Sequence, residues 1–305
     1  MNVKNERAMM ARVEKFYVLI IAIIMPTFSI VGKAVREDGK IEQIKVGNFA
    51  LPLSQQAGPL FSFGQNIIDK GDSLLLASFN QLRGSGINFK EVTPAFLYGI
   101  TDNFSLFLQL PIAANFKFEN SSSHGLEDFL VQFEYAFYTK ETTTIAADIT
   151  CVANIGIPTG SAFKEPFTGF GAPSFFLGLT AGYATPKWYF FTEYGVDVTT
   201  SHKKTKFGNQ FLYEFGLTRN IWYKPDKWLF NVMVEFDGTY RQRNKILGSV
   251  DCNSGGNIIL FGPSLWFSTQ RLILEIGIDG VVFQHLFGDQ PKEKYIIATT
   301  FGWTF

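Results

Sequence analysis

Residues that could carry acid–base or nucleophilic chemistry are few in this sequence and are not grouped. The three histidines, His124, His202 and His285, precede Gly-Leu, Lys-Lys and Leu-Phe, so none has a serine two positions later that it could activate. The two cysteines, Cys151 and Cys252, are not part of a C-x-x-C pair. No G-x-S-x-G motif, phosphate-binding loop or metal-ligand spacing occurs. The sequence therefore predicts no enzyme, no metal site and no cofactor.

Acidic residues form the second candidate set, because they recur on one side of alternating stretches. From Asp72 onward, stretches of about 10–15 residues alternate apolar and polar positions between turn residues. Side chains alternate across a strand, so parity predicts a set of carboxylates on the face opposite the aromatic residues. Lys and Arg are missing from the middle of that face; Arg241 and Arg271 share its parity only at strand ends. The predicted lumen-lining acids are Glu91, Asp128, Glu134, Asp148, Glu193, Asp197, Glu214, Glu235, Asp237, Glu275 and Asp279.

These carboxylates need compensation wherever they lie inside a structure. An isolated ion in a dry interior costs several kcal/mol of desolvation. One interpretation is a wet acidic lumen that favours cations, and another is a hydrogen-bonded network that closes a narrow barrel. A third is that basic residues of the N-terminal segment, Arg36, Lys40, Lys45 and Lys70, reach into the lumen.

The elements that would position the acids are twelve strands. An even number leaves both termini on the same side of a barrel, and the predicted connections alternate between short and long, as in outer-membrane barrels. The fold class is therefore all-β, a 12-stranded antiparallel transmembrane β-barrel over 72–305. The predicted strands are 73–83, 88–100, 104–117, 126–139, 143–157, 173–184, 187–200, 208–222, 227–241, 256–268, 271–284 and 293–305. The predicted long connections are 118–125, 158–172, 201–207, 242–255 and 285–292.

The first 71 residues are predicted to lie outside the barrel strands. Residues 1–15 are polar and basic, Phe16 to Val31 are almost wholly apolar, and small residues follow near Ala34. This layout predicts a signal peptide over 1–34 rather than a membrane anchor, since the apolar run is short and contains Pro26. Residues 35–71 are predicted to be an N-terminal periplasmic segment or a plug, because their apolar residues need somewhere to be buried.

The last strand carries the sharpest localisation signal. Tyr295, Phe301, Trp303 and Phe305 fall on one face of the alternating C-terminal stretch, and the chain ends in an aromatic residue. This ending resembles the terminal strand signal of outer-membrane proteins, which implies the barrel-assembly machinery as a partner. Together with the export signal, it predicts a Gram-negative bacterial outer membrane and contact with its lipid.

Composition agrees with a barrel. The chain has 33 Phe, while its mean hydropathy is only +0.08, as expected when one face of each strand is polar. The net charge is zero, which predicts no nucleic-acid partner. Basic residues near the long loops could meet lipopolysaccharide phosphates or could be ordinary solvated charges: Lys203, Lys204, Lys206, Arg241, Arg243, Lys245, Lys292 and Lys294.

Several short motifs resemble the outer-membrane transporter family labelled as belonging to the MetA pathway of phenol degradation. They are the hairpin start Gly125–Asp128 with the strand end Tyr135–Phe137, the strand end Ile157–Gly160 with the Gly-rich loop Thr168–Pro173, and the turn Tyr98–Asn103. The resemblance implies a channel or transporter for small solutes. The alternatives are a closed structural or surface-interaction barrel and, less favoured, an outer-membrane hydrolase.

Overall fold

The chain folds into a closed barrel of twelve antiparallel strands, as predicted. The computed structural model describes residues 44–305; the predicted signal peptide 1–34 and the start of the 35–71 segment lie outside them. Strand β1 pairs with β12, from Leu74 opposite Thr304, and also with β2, so the sheet closes without a free edge. The strands are β1 Ser73–Gly84, β2 Ile87–Thr101, β3 Phe104–Gln109 with Ile112–Phe118, β4 Ser121–Leu126 with Phe129–Glu141, β5 Ala146–Ile157, β6 Ser174–Ala184, β7 Trp188–Thr199, β8 Gln210–Lys224, β9 Trp228–Arg241, β10 Gly256–Thr269, β11 Leu272–Leu286 and β12 Glu293–Thr304.

The two faces of the wall differ as the alternation predicts. Large apolar side chains such as Phe79 and Leu177 are 55% and 63% exposed on the outside, whereas alternate positions are buried inside. In β12 the outward face carries Phe301 and Trp303, and Phe305 follows the strand. A closed barrel with an apolar outer band is the form in which strands satisfy all backbone hydrogen bonds within lipid.

Strands β3 and β4 are each interrupted once, at neighbouring positions in the wall. Pro111 has no N–H to donate to a ladder, and the break in β4 falls at Glu127 and Asp128. The wall stays closed there, because the Leu110 N–H donates to Pro94 O and the Glu127 N–H donates to Pro111 O, both at 3.0 Å.

The predicted loop 118–125 was wrong. Strands β3 and β4 continue past the apolar alternation and pair up to Phe118 opposite Ser121, which leaves only a tight turn at Glu119 and Asn120. The Ser-rich stretch carries no apolar period, but its backbone ladder holds the hairpin together. Glu119 takes a positive φ of 52° in the turn, and its N–H donates to Gly86 O at 2.7 Å.

The two ends of the barrel are unlike. The terminal end carries the start of β1, the end of β12 and the short turns, and the loop end carries the longer connections. Two of those connections hold short hairpins, Ser201–His202 with Thr205–Lys206 and Lys245–Ile246 with Ser249–Val250, which join into one four-stranded loop sheet. Among residues 44–305, no helix is long and apolar enough to cross a membrane.

Candidate functional site

Residues 44–71, which we call the inner segment, lie against the inward face of the barrel. At the terminal end the segment passes three short turns. The Ile44 N–H donates to Thr143 O at 3.0 Å, and the Asn48 N–H donates to Pro186 O at 2.9 Å. The Ala50 carbonyl accepts the Asp226 N–H at 2.9 Å.

Buried polar and apolar contacts fix the segment at this end. Asn231 donates its side-chain amide to Asn48 Oδ1 at 3.0 Å, and Ser268 donates its hydroxyl to Gln55 O at 2.7 Å. Gln55 also donates its amide to the Thr304 hydroxyl. Around these bonds lies an apolar cluster of Leu51, Ile68, Leu74, Leu97, Leu229, Trp266 and Ile273.

Farther into the lumen, wall carboxylates accept closely spaced main-chain N–H groups of the segment. Glu235 Oε2 accepts from both Leu60 and Phe61 at 3.1 Å. Glu214 accepts from the Phe63 N–H at 3.3 Å, and Glu193 accepts from the Gly64 N–H at 2.8 Å. All three carboxylates are buried. Hydrogen bonds from amide donors therefore compensate charges for which the strands supply no basic partner.

Glu134 and Asp237 extend this set, which we call the carboxylate belt: Glu134, Glu193, Glu214, Glu235 and Asp237. Glu134 accepts the Asn66 N–H at 2.9 Å and the Asn66 side-chain amide at 2.7 Å. Asp237 accepts the Ser62 hydroxyl at 2.9 Å. The register pairs Glu193 with Glu214 and Glu214 with Asp237 on neighbouring strands, so acids of β7, β8 and β9 are adjacent.

After the belt the segment returns to the terminal end and enters β1. The Ile68 N–H donates to the Ser105 hydroxyl at 3.2 Å, and the Gly71 N–H donates to Gly99 O at 2.8 Å.

The hypothesis that Lys45 and Lys70 neutralise the lumen was wrong. Lys45 pairs with the Asp226 carboxylate at 2.7 Å in an exposed position, and the Lys70 side chain is exposed. Arg36 and Lys40 lie outside the described residues.

The other predicted acids lie apart from the belt. Glu91 accepts the Thr93 hydroxyl at 2.7 Å, and Asp148 accepts the Thr150 hydroxyl at 3.2 Å. Asp128 lies in the β4 break and accepts the N–H groups of Gly160 at 3.0 Å and Phe170 at 2.8 Å, so it fixes a long loop. Asp197 is half-buried, and Glu275 and Asp279 are buried on β11.

A cavity of about 370 Å³ remains beside the inner segment. Its polar lining includes Glu91, Gln109, Gln132 and Glu275, and its apolar lining includes Phe107 and Trp266. A smaller cavity of about 130 Å³ lies near Asp148 and Tyr189. The larger volume is within the range of sites for small organic ligands.

No residue pattern predicts the main-chain donors of the inner segment, but glycines on the inward face of the wall lie along the path of the segment. A side chain at Gly178 would meet the Phe63 ring at 2.7 Å, and one at Gly277 would meet the Leu60 side chain at 2.7 Å. Glycines on the inward face of wall strands therefore leave room for the aromatic and aliphatic side chains of the segment.

The three histidines lie in different parts of the barrel. His124 lies in the outer part of β4, within the stretch that the sequence predicted as loop 118–125, and His285 is the second-last residue of β11, at the edge of the predicted loop 285–292. The His202 and His285 rings contact Phe163 and Phe287, with centroids 6.5 and 5.9 Å apart. Within residues 44–305, no group of three or more His, Cys, Asp or Glu side chains is arranged to hold a metal ion.

Comparison with known proteins identifies the fold. No family model matches the sequence, and no curated protein matches it. Among solved structures, an outer-membrane channel from Pseudomonas putida F1 is similar with a TM-score of 0.63 and 12% identity, over 82% of this chain and 100% of that one. The chain is an outer-membrane β-barrel.

Two other solved structures are similar at lower scores. The NanC porin has a TM-score of 0.47 and 12% identity over 75% of this chain and 98% of that one. The CymD monoaromatic hydrocarbon channel has a TM-score of 0.38 and 8% identity over 85% of this chain and 97% of that one.

With its apolar exterior and closed wall, the barrel lies in the bacterial outer membrane, as predicted. The resemblance to the MetA-pathway family stays a prediction from short motifs.

Proposed function

We propose that this barrel is an outer-membrane channel for small solutes, that its acidic lumen favours cations, and that the inner segment acts as a plug. The observation that carries the proposal is the carboxylate belt. It holds residues 60–66 inside the lumen through hydrogen bonds, whereas the apolar cluster and the main-chain bonds to the turns fix the rest of the segment at the terminal end. Residues 60–66 can therefore be displaced without unfolding the barrel.

Charge supports the cation preference. The belt, Glu91 and Glu275 put carboxylates on several strands, while none of the twelve described strands carries a basic residue on its inward face at mid-strand. A lumen lined by one sign of charge raises the local concentration of the opposite ion. Displacing the segment would expose these carboxylates to a permeating solute.

A planar bilayer experiment tests the proposal. The folded full-length protein is inserted under a KCl gradient, and its conductance and reversal potential are compared with those of Gly64→Ala, which crowds the segment against Thr180. We expect a conductance that is cation-selective and larger in the variant. Anion selectivity would contradict the acidic-lumen proposal. Absence of conductance in both proteins, with both barrels shown to be folded by heat-modifiable electrophoretic mobility, would contradict the channel.

A closed surface-interaction barrel is the second candidate. The apolar cluster and the main-chain bonds to three turns seal the terminal end, which favours a permanent closure. On this alternative the loop sheet is the working surface, because it brings Lys203, Lys204, Lys206 and Lys245 into adjacent hairpins that suit lipopolysaccharide phosphates. It predicts no conductance and loss of lipopolysaccharide binding when 242–255 is removed. Conductance in the wild-type protein would contradict it.

A further inference from the structure

The larger cavity is lined by a buried carboxylate, one oxygen of which has no hydrogen-bond donor among residues 44–305. Glu275 is 3% exposed, lines the cavity, and its Oε1 has no hydrogen-bond partner among the described residues. A buried carboxylate without a donor is unfavourable unless a positive charge or a proton accompanies it. The acids of the belt accept hydrogen bonds from the inner segment, whereas Glu275 does not. The buried position of Glu275 therefore needs a separate explanation.

The cross-strand neighbours of Glu275 do not supply the missing donor. The register places Trp266 on one side of Glu275 and Thr300 on the other. The Trp266 indole N–H donates to Ser268 at 3.0 Å, and the Thr300 hydroxyl shares a hydrogen bond with Ser78 at 2.9 Å. Both neighbouring polar groups are thus engaged elsewhere, which leaves the carboxylate available to a ligand.

The rest of the lining suits an organic cation rather than a bare ion. The cavity has a second carboxylate, Glu91, and no basic residue among its described lining residues. Aromatic rings of Phe61, Phe107 and Trp266 also line it. Aromatic faces attract a cationic nitrogen and bury apolar carbons attached to it.

We propose that this cavity is a binding site for a small amphipathic organic cation, whose ammonium group pairs with Glu275 and whose apolar part packs against the aromatic rings. The proposal gives a substrate class to the lumen, and for its meaning in transport it rests on the proposed channel function. Within the site, Glu275 recognises the positive charge of the ligand. The cavity volume of about 370 Å³ limits the ligand to a small molecule.

Calorimetric titration of the folded full-length protein in detergent tests the site. The probes are 2-phenylethylammonium, neutral 2-phenylethanol and anionic phenylacetate, which share a phenyl ring and differ in charge. We expect the ammonium to bind at least tenfold more tightly than the alcohol, and the acid not to bind. Equal affinity for the ammonium and the alcohol would overturn the proposal, because the cavity would then be only an apolar void.

Two variants separate the site from general lumen charge. Glu275→Gln keeps the size and removes the charge, and we expect it to lose at least tenfold in ammonium affinity while alcohol binding stays unchanged. Asp197→Asn removes a half-buried carboxylate that does not line the cavity, and we expect it to bind like the wild type. Equal losses in both variants, or none in Glu275→Gln, would overturn the assignment. Circular dichroism checks that both fold.

The outcome is independent of conductance. Channels that conduct ions but do not bind the ammonium probe would overturn the site and leave the channel function standing. Binding by a protein that never conducts would establish the site and contradict the channel function.

Discussion

Removing the Glu235 carboxylate should release the inner segment locally without unfolding the barrel. Glu235 accepts the N–H groups of Leu60 and Phe61 at 3.1 Å and is buried. In Glu235→Ala both donors lose their partner. An unsatisfied buried group costs about 1–3 kcal/mol, so docking of the segment should weaken by about 2–6 kcal/mol.

Hydrogen exchange reads this change directly. Every 1.4 kcal/mol is about a tenfold change in an equilibrium, so exchange of the Leu60 and Phe61 amides should accelerate by about 30-fold to 2 × 10⁴-fold. Glu235→Gln keeps one oxygen as acceptor and should show a smaller acceleration. The barrel amides should not accelerate, because removing an ion from the interior relieves desolvation in the wall.

A matched control excludes a general effect of lumen charge. Glu275 is also a buried glutamate on the inward face, but it accepts no hydrogen bond from the inner segment. Glu275→Gln should leave exchange at Leu60 and Phe61 within about threefold of wild type. Unchanged exchange in Glu235→Ala, with the barrel folded, would refute the account of how the segment is held.

Three further outcomes follow from the same contacts. Gly64→Ala should raise conductance, because a Cβ there overlaps the Thr180 methyl. Gly58→Ala should leave conductance unchanged, because the nearest atom to its Cβ is 4.0 Å away. Bilayer recordings compare the two variants, and equal conductance would count against the plug. Asp128→Ala should loosen the loop that it holds through two N–H groups by about 2–6 kcal/mol, seen as faster proteolytic cleavage within 158–173, and equal cleavage would show that other contacts fix the loop. Removing Phe305 should reduce the yield of assembled barrel in the outer membrane several-fold while leaving refolding in detergent intact, and an equal loss in both would point to stability instead.

The wall could be predicted from the sequence because each barrel strand has a two-residue period. In β9, for example, Phe230, Val232 and Val234 face outward while Asn231 and Glu235 face inward, and the predicted span 227–241 differs from the observed Trp228–Arg241 by one residue. That period stops at the Ser-rich start of β4. There the sequence predicted a loop, whereas the structure has a strand. Backbone ladders need no side-chain pattern, so a polar strand end leaves little trace in the sequence.

The candidate site was predicted only in part. The alternation of side chains along each strand predicted the inward acids, including all five of the carboxylate belt. It did not predict which groups compensate their negative charge. The sequence directed attention to basic side chains, whereas the donors are main-chain N–H groups of residues 60–66. Every residue type except proline carries such a group, so residue identity cannot reveal it. Inward glycines such as Gly178 do indicate where the segment runs, because a larger side chain there would collide with it.

Single-channel recording of wild-type and Glu235→Ala barrels in the same planar membrane tests the central claim most directly. The claim is that the belt holds the inner segment in a cation-favouring lumen. We predict larger and more frequent cation-selective openings in Glu235→Ala than in the wild type. Identical conductance in the two proteins, with hydrogen exchange showing the segment released in the variant, would contradict the claim.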